Sequence, residues 1–240
     1  ITKIQVDTNL IEYFKKTSEV RLDIDFIEKH LGGVESLDIS LQASVEEAFK
    51  DPENLQVIEK IQRYIKALPG VDVTTSLVDF IKDMNQSFHA ENHKYYTIPG
   101  SKNLITQYLL LYDSDDIEDF VNDRYDHARI GVRLSEHSSS QQERLIAKIR
   151  DYIRTIQPPH LQIRITGRVL QDTKTIGNIV KGQRDGLSLA VLAISLIMAL
   201  VAFRSFSIGL LSLIPNFCPL ILNFGIMGAF GIPLNTATAL

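Results

Sequence analysis

Hydrophobic positions follow two different rules along this chain, and the change comes near residue 185. Before it, apolar residues recur either at every second position or three and four apart, with charged residues between them. After it, from Gly186 to Leu240, Arg204 is the only charged residue. Alternation predicts strands in "ESLDISLQ" (Leu37, Ile39, Leu41 inward), "VDVTTS", "HARIGVRL" (Ala128, Ile130, Val132, Leu134) and "LQIRITG", with a strand-like opening at "ITKIQVD". Helical spacing appears in "SEVRLDIDFIEKHLGG", where Leu22, Phe26, Ile27 and Leu31 share one side and Gly32-Gly33 stops the helix. It recurs in "KDPENLQVIEKIQRYIKALPG", with Asp51 as N-cap, Pro52 in the first turn and Leu55, Ile58, Ile61, Ile65 and Leu68 as the stripe. "SLVDFIKDMNQSF" and "NLITQYLLLY" predict further helix, as does the serine-capped "SSSQQERLIAKIRDYIRTI", with Leu145, Ile149, Ile153 and Ile156 inward before Pro158-Pro159 breaks it.

Two strand–helix–strand units of similar length emerge from this pattern. They predict an α+β domain of the ferredoxin-like kind: a duplicated βαβ plan, with a four-stranded sheet and two helices on one face. The domain is expected over residues 1–183.

The apolar remainder predicts a transmembrane hairpin. Leu187 to Phe203 is an uncharged run of 17 residues, about 25 Å as a helix, and Arg184 and Arg204 can reach the headgroups from either end. Ser188 and Ser195 are its polar interruptions, and a serine can bond its own helix backbone. Spans are expected over 184–204 and 208–231, joined by a turn at 205–207, with 232–240 an outer turn leading into another helix. Arg204 beside that turn favours its cytoplasmic side. Residues 1–183 then lie on the outer side.

Pro215 and Pro219 fall inside the second span, and each removes a backbone donor that a neighbouring helix must compensate. Asn216 and Asn223 share a helical face and can hydrogen-bond to a partner helix, while Gly225, Gly228 and Gly231 permit close contact. These seven residues are the expected packing set. Two kinked anchor helices with incidental small residues are the alternative.

Composition adds exclusions. With 25 basic and 29 acidic residues the chain is slightly acidic, which gives no electrostatic reason to expect a nucleic acid partner. One cysteine, Cys218, rules out an intrachain disulfide. His89 and His93 stand four apart, a metal-ligand spacing on a helix, but no third ligand is assured and a solvated polar loop is the competing reading. "YDSDDIEDF" resembles a calcium loop in charge alone and is better explained as acids at a helix start. Arg124, Asp126, His127 and Arg129 read as exposed loop and strand-edge charges, and "NQS" at Asn85 is a glycosylation sequon, meaningful only in a eukaryotic secretory setting. No nucleophile–base or phosphate-binding pattern is visible, so neither an enzyme nor a cofactor is indicated.

The segments "DTNLIEYF", "KDPENLQVIEKIQRYIKALPGV", "SLVDFIKDMN", "QYLLLY", "ITG" and "FRSFSIGLLSLIPNFCPLILNFGIMGAFGIPLNTATAL" together resemble the exporters of the RND superfamily, near the MMPL and Patched-like branches. The resemblance implies a twelve-helix protein of the bacterial inner membrane, built as two similar halves. This chain corresponds to the first periplasmic porter loop with the second and third helices. It implies export of hydrophobic or amphiphilic compounds, lipids among them, driven by the proton-motive force. The expected partners are the bilayer, the substrate and the rest of the polypeptide, with a homo-oligomer left open. The relay aspartate implied by the family would lie shortly beyond Leu240, in keeping with the lack of any acid from Ser205 to Leu240. A membrane-tethered binding or sensing module is the competing reading. A protein-translocation accessory or a sterol-sensing protein is a third, within the same superfamily.

Overall fold

A computed structural model of the chain describes residues 7–112, 115–197 and 213–230. The opening "ITKIQV", the turn at 205–207 and the 232–240 segment lie outside the described residues. By internal packing the chain divides into two units, one comprising Ile11–His137 with Gln141–Gln171, the other Ile1–Leu10 with Ser138–Ser140 and Asp172–Leu240.

In the first unit the alternating segments become β1 (Glu35–Ala43), β2 (Val71–Ser76), β3 (His127–Leu134) and β4 (Leu161–Thr166). They form a four-stranded sheet in the order β2-β3-β1-β4. Every neighbouring pair is antiparallel, with Ile39 opposite Ile130 on β3 and Ile165 on β4. Because side chains alternate across a strand, this register puts Leu37, Ile39, Leu41, Ala128, Ile130, Val132, Leu161 and Ile163 on one buried face.

The helices are α1 (Glu19–Leu31), α2 (Pro52–Lys66), α3 (Leu77–Ser87), α4 (Lys102–Leu111), the single turn α5 (Asp115–Glu118) and α6 (Ser139–Ile156). Asp51 caps α2 by accepting from Glu53 N at 2.9 Å, and Pro52 occupies the first turn. Leu55, Ile58, Ile61 and Ile65 of α2 are fully buried, and each such side chain contributes about 1.5–3 kcal/mol. Leu145, Ile149 and Ile153 of α6 join the same core, and Tyr64 of α2 stacks on Tyr152 of α6 at 3.9 Å. Ser76 and Asp79 form a capping box at the start of α3, with Gln62 hydrogen-bonded to both side chains.

Helix α1 departs from the usual outcome of an amphipathic stripe. Gly32 ends it as the sequence indicates and Ser18 caps it, yet none of its residues is buried, and Leu22, Phe26 and Leu31 are more than half exposed. Gly33 follows at a close backbone approach: a Cβ there would lie 2.0 Å from the Leu134 carbonyl oxygen, so any side chain would displace the end of β3.

The second unit includes a staple between distant segments. The Asp7 carboxylate accepts from the Ser138 hydroxyl at 2.9 Å and from Ser140 N at 3.1 Å. Thr8 N donates to Ser139 Oγ at 2.9 Å. At the start of α6, Ser140 N is thus satisfied by the Asp7 carboxylate and Ser139 N by the Thr8 carbonyl at 3.1 Å, where the sequence suggested a serine cap.

Candidate functional site

Gly167 ends β4 and starts the helix that leads to the apolar segment. Its φ of +101° is a conformation few L-residues adopt, and a Cβ would stand 2.9 Å from Asp38 N on the central strand β1. Helix α7 (Arg168–Ile197) then runs for 30 residues, charged at first and apolar later. Leu189, Leu192, Ile194, Leu196 and Ile197 are at least half exposed. Ser195 Oγ donates to the Val191 carbonyl at 2.5 Å, so this hydroxyl needs no partner outside its own helix.

Helix α8 (Leu213–Phe230) carries the expected packing set. Pro219 lies inside it, leaving the carbonyl of residue 215 without its donor four residues on. Helical register places 216 and 223 on one face of α8. Pro219 and Gly225 are exposed, Gly228 is half-buried, and a Cβ at Gly225 would meet nothing within 4 Å. The side chains of Pro215, Asn216 and Asn223, and all of Gly231, lie outside the described residues. Among the described residues no helix is long and apolar enough to cross a membrane. Both expected spans continue into residues outside that set, the first at 198–204 and the second at 208–212 and 231.

Arg124 and Asp126 lie in the turn before β3, and His127 and Arg129 on that strand. Arg129 Nε pairs with Asp38 at 2.9 Å, and its guanidinium lies over the Phe120 ring at 5.8 Å. Asp126 is nearly covered rather than exposed: Asn122 Nδ2 donates to it at 2.7 Å, and Arg124 lies 3.4 Å away. The bond from Asn122 first, then His127 and Arg124, hold its carboxyl below the ordinary carboxylate range against the opposing effect of burial. An open cleft of about 350 Å³ borders Asp38, Phe120, Asn122, His127, Arg129 and Thr166. Arg129 is paired with Asp38, while Glu118 and Asp119 leave the rim acidic, and the lining offers no nucleophile held by a base.

Two other sequence candidates resolve into structure. His89 Nδ1 contacts the Asn85 carbonyl at 2.7 Å and its ring stacks on Tyr95, whereas His93 sits in a 3-10 turn beyond α3. Among the described residues no cluster of three or more metal-binding side chains occurs. Asn85 is buried. Its Nδ2 donates to the carbonyls of Tyr95 and Thr97 at 2.8 and 3.0 Å, and its Oδ1 accepts from the Tyr108 hydroxyl at 3.1 Å. A side chain so engaged is not available to a glycosyl group, which corrects the sequon reading.

A profile of the MMPL family matches residues 50–238, a stretch that begins just before α2 and takes in β2 to β4, α7 and α8. The chain belongs to the MMPL family. No curated protein matches it. MMPL proteins are in general RND-type membrane transporters, and membership makes this chain transporter-related. Sequence reasoning overlooked the turn at Gly167 and the hub at Asn85. Only a polar residue amid the apolar spacing of α3 hinted at the second.

Proposed function

We propose that this MMPL chain is the first extracytoplasmic domain of an RND-type secondary exporter, together with the two helices that follow it. The cargo is hydrophobic or amphiphilic, lipids included, and the driving force is the proton-motive force. The observation that carries this reading is the continuity of the family match, which passes without a break from the α+β domain into both apolar helices. A soluble binding domain on an unrelated anchor would be matched in one part and not the other.

Several finer features follow from this reading. The strand order β2-β3-β1-β4 supports a ferredoxin-like, duplicated βαβ porter domain, since the β1–α2–β2 and β3–α6–β4 units interleave through one sheet. Residues 184–204 and 208–231 cross the bilayer of a bacterial inner membrane, joined on the cytoplasmic side at 205–207, and place residues 1–183 in the periplasm. Pro215, Asn216, Pro219, Asn223, Gly225, Gly228 and Gly231 pack the second span against the rest of the polypeptide. The exposed leucines and isoleucines of α7 support this, because a contiguous uncovered apolar surface on a helix calls for lipid or protein around it.

The test uses the full-length protein in inverted membrane vesicles. The first intramembrane acid beyond Leu240 is replaced by Asn, and export of a fluorescent amphiphile is followed under an imposed proton gradient. Gradient-dependent transport that the variant loses, at unchanged membrane abundance, is the expected result. Absence of such an acid, or transport indifferent to the gradient, would overturn the proposal and leave the tethered module in its place.

A further inference from the structure

His137 sits where three elements meet, in the loop between β3 and α6. Its Nε2 lies 2.7 Å from Glu28 Oε1 on α1, and its Nδ1 lies 3.6 Å from Glu35 Oε1 at the start of β1. All three side chains are at least three-quarters covered. Neither ring nitrogen has an aligned hydrogen bond, and Glu28 Oε1 is buried without one as well. Charge therefore carries this cluster: a protonated imidazole between two carboxylates attracts both, and a neutral one leaves two largely covered like charges without it.

The consequence falls on α1. This helix has no buried residue, and Leu22, Phe26 and Leu31 are more than half exposed. Its attachment lacks the apolar burial that secures α2 and α6, so one ion pair weighs heavily in it. Glu28 and Glu35 are the charged groups that act on the ring, and Glu35 first, then Glu28, hold its proton above the ordinary histidine value despite burial. The remaining acids of α1 stand apart from the ring: Asp25 pairs with Arg21 on the same helix.

We propose that His137, Glu28 and Glu35 form a proton-dependent clasp that holds α1 against the sheet when the imidazole is charged and releases it when the imidazole is neutral. The sign follows from linkage. A proton bound more tightly in the clasped state stabilises that state fully below the ordinary histidine pKa of about 6.5. The stabilisation is lost as pH rises through the higher, clasped value. Release would set the exposed Leu22–Phe26 face free to move with the helix. This inference stands on the α+β unit alone and does not depend on the transporter reading.

Hydrogen exchange on the full chain in nanodiscs tests it, with rates corrected for the intrinsic effect of pH. Protection of the Glu19–Leu31 amides should fall by roughly threefold or more between about pH 6 and pH 8.5, while α2 and α6 keep theirs. In His137→Gln, α1 should exchange fast at both values with α2 and α6 unchanged. Glu28→Gln, which keeps the shape and removes one charge, should flatten the pH response and serves if His137→Gln fails to fold. Equal α1 protection at both pH values in the parent chain, or a pH response that survives either variant, would overturn the clasp.

Discussion

Replacing Gly167 by alanine tests whether the joint between sheet and α7 is built as described. Two costs add. A φ of +101° is strained for any L-residue, at about 1–3 kcal/mol. The new methyl would also stand 2.9 Å from Asp38 N and 3.1 Å from Leu37 Cα. Both contacts are backbone atoms of β1, which is hydrogen-bonded on each side to β3 and β4, so the strand cannot step aside cheaply. Against this, alanine restricts the unfolded chain and returns about 0.4–1 kcal/mol. The net expectation is a loss of about 2–4 kcal/mol, a large share of the 5–15 kcal/mol typical of a domain. Gly177 is the control: it lies within α7, and a Cβ there meets nothing within 4 Å. Gly177→Ala lies outside the α+β unit and should leave the unfolding free energy of that unit unchanged. The chain has eight tyrosines and no tryptophan, and no tyrosine lies beyond Tyr152. Urea denaturation followed by tyrosine fluorescence therefore reports the α+β unit alone. If Gly167→Ala cost less than about 0.5 kcal/mol, the close approach of the turn to β1 would be wrong.

Two further outcomes follow from the buried polar groups. Asn85→Ala removes three hydrogen bonds and strands the buried Tyr108 hydroxyl, so the same fluorescence assay should show a loss of about 2–4 kcal/mol. Asn122→Ala removes the main support of the Asp126 carboxylate, so carboxyl-carbon NMR should show its titration rising toward the ordinary aspartate value of about 3.9. In the parent chain the stabilisation from Asp126 is present above that value and is lost as pH falls through its lower folded one.

Strand positions were legible because alternation and burial have one cause: a residue on the inner face of the sheet has no water to meet. Helices α2, α3, α4 and α6 were legible for the same reason, with Asp51 marking where α2 begins. The stripe on α1 was equally clear but did not foretell exposure, since periodicity gives the face of a helix and not what covers it. Asn85 matched a sequon, and only its three-dimensional neighbours show that its amide is used internally. The cap of α6 by Asp7 joins residues 133 positions apart in sequence, a pairing that no local pattern encodes. The Glu28–Glu35–His137 cluster was invisible for the same reason.

Cys218, the only cysteine, lies in the middle of α8 and is exposed within this chain. Reactivity of this thiol in native membranes is the most direct test of a membrane-embedded second span. A membrane-impermeant maleimide should leave Cys218 unlabelled in intact cells and in inverted vesicles, and label it only after detergent denaturation. A reference cysteine at the exposed position Arg150 of α6, introduced after Cys218→Ser, should react readily in cells whose outer membrane has been permeabilised. Labelling of Cys218 at the rate of that reference, from either side, would contradict a bilayer location for α8.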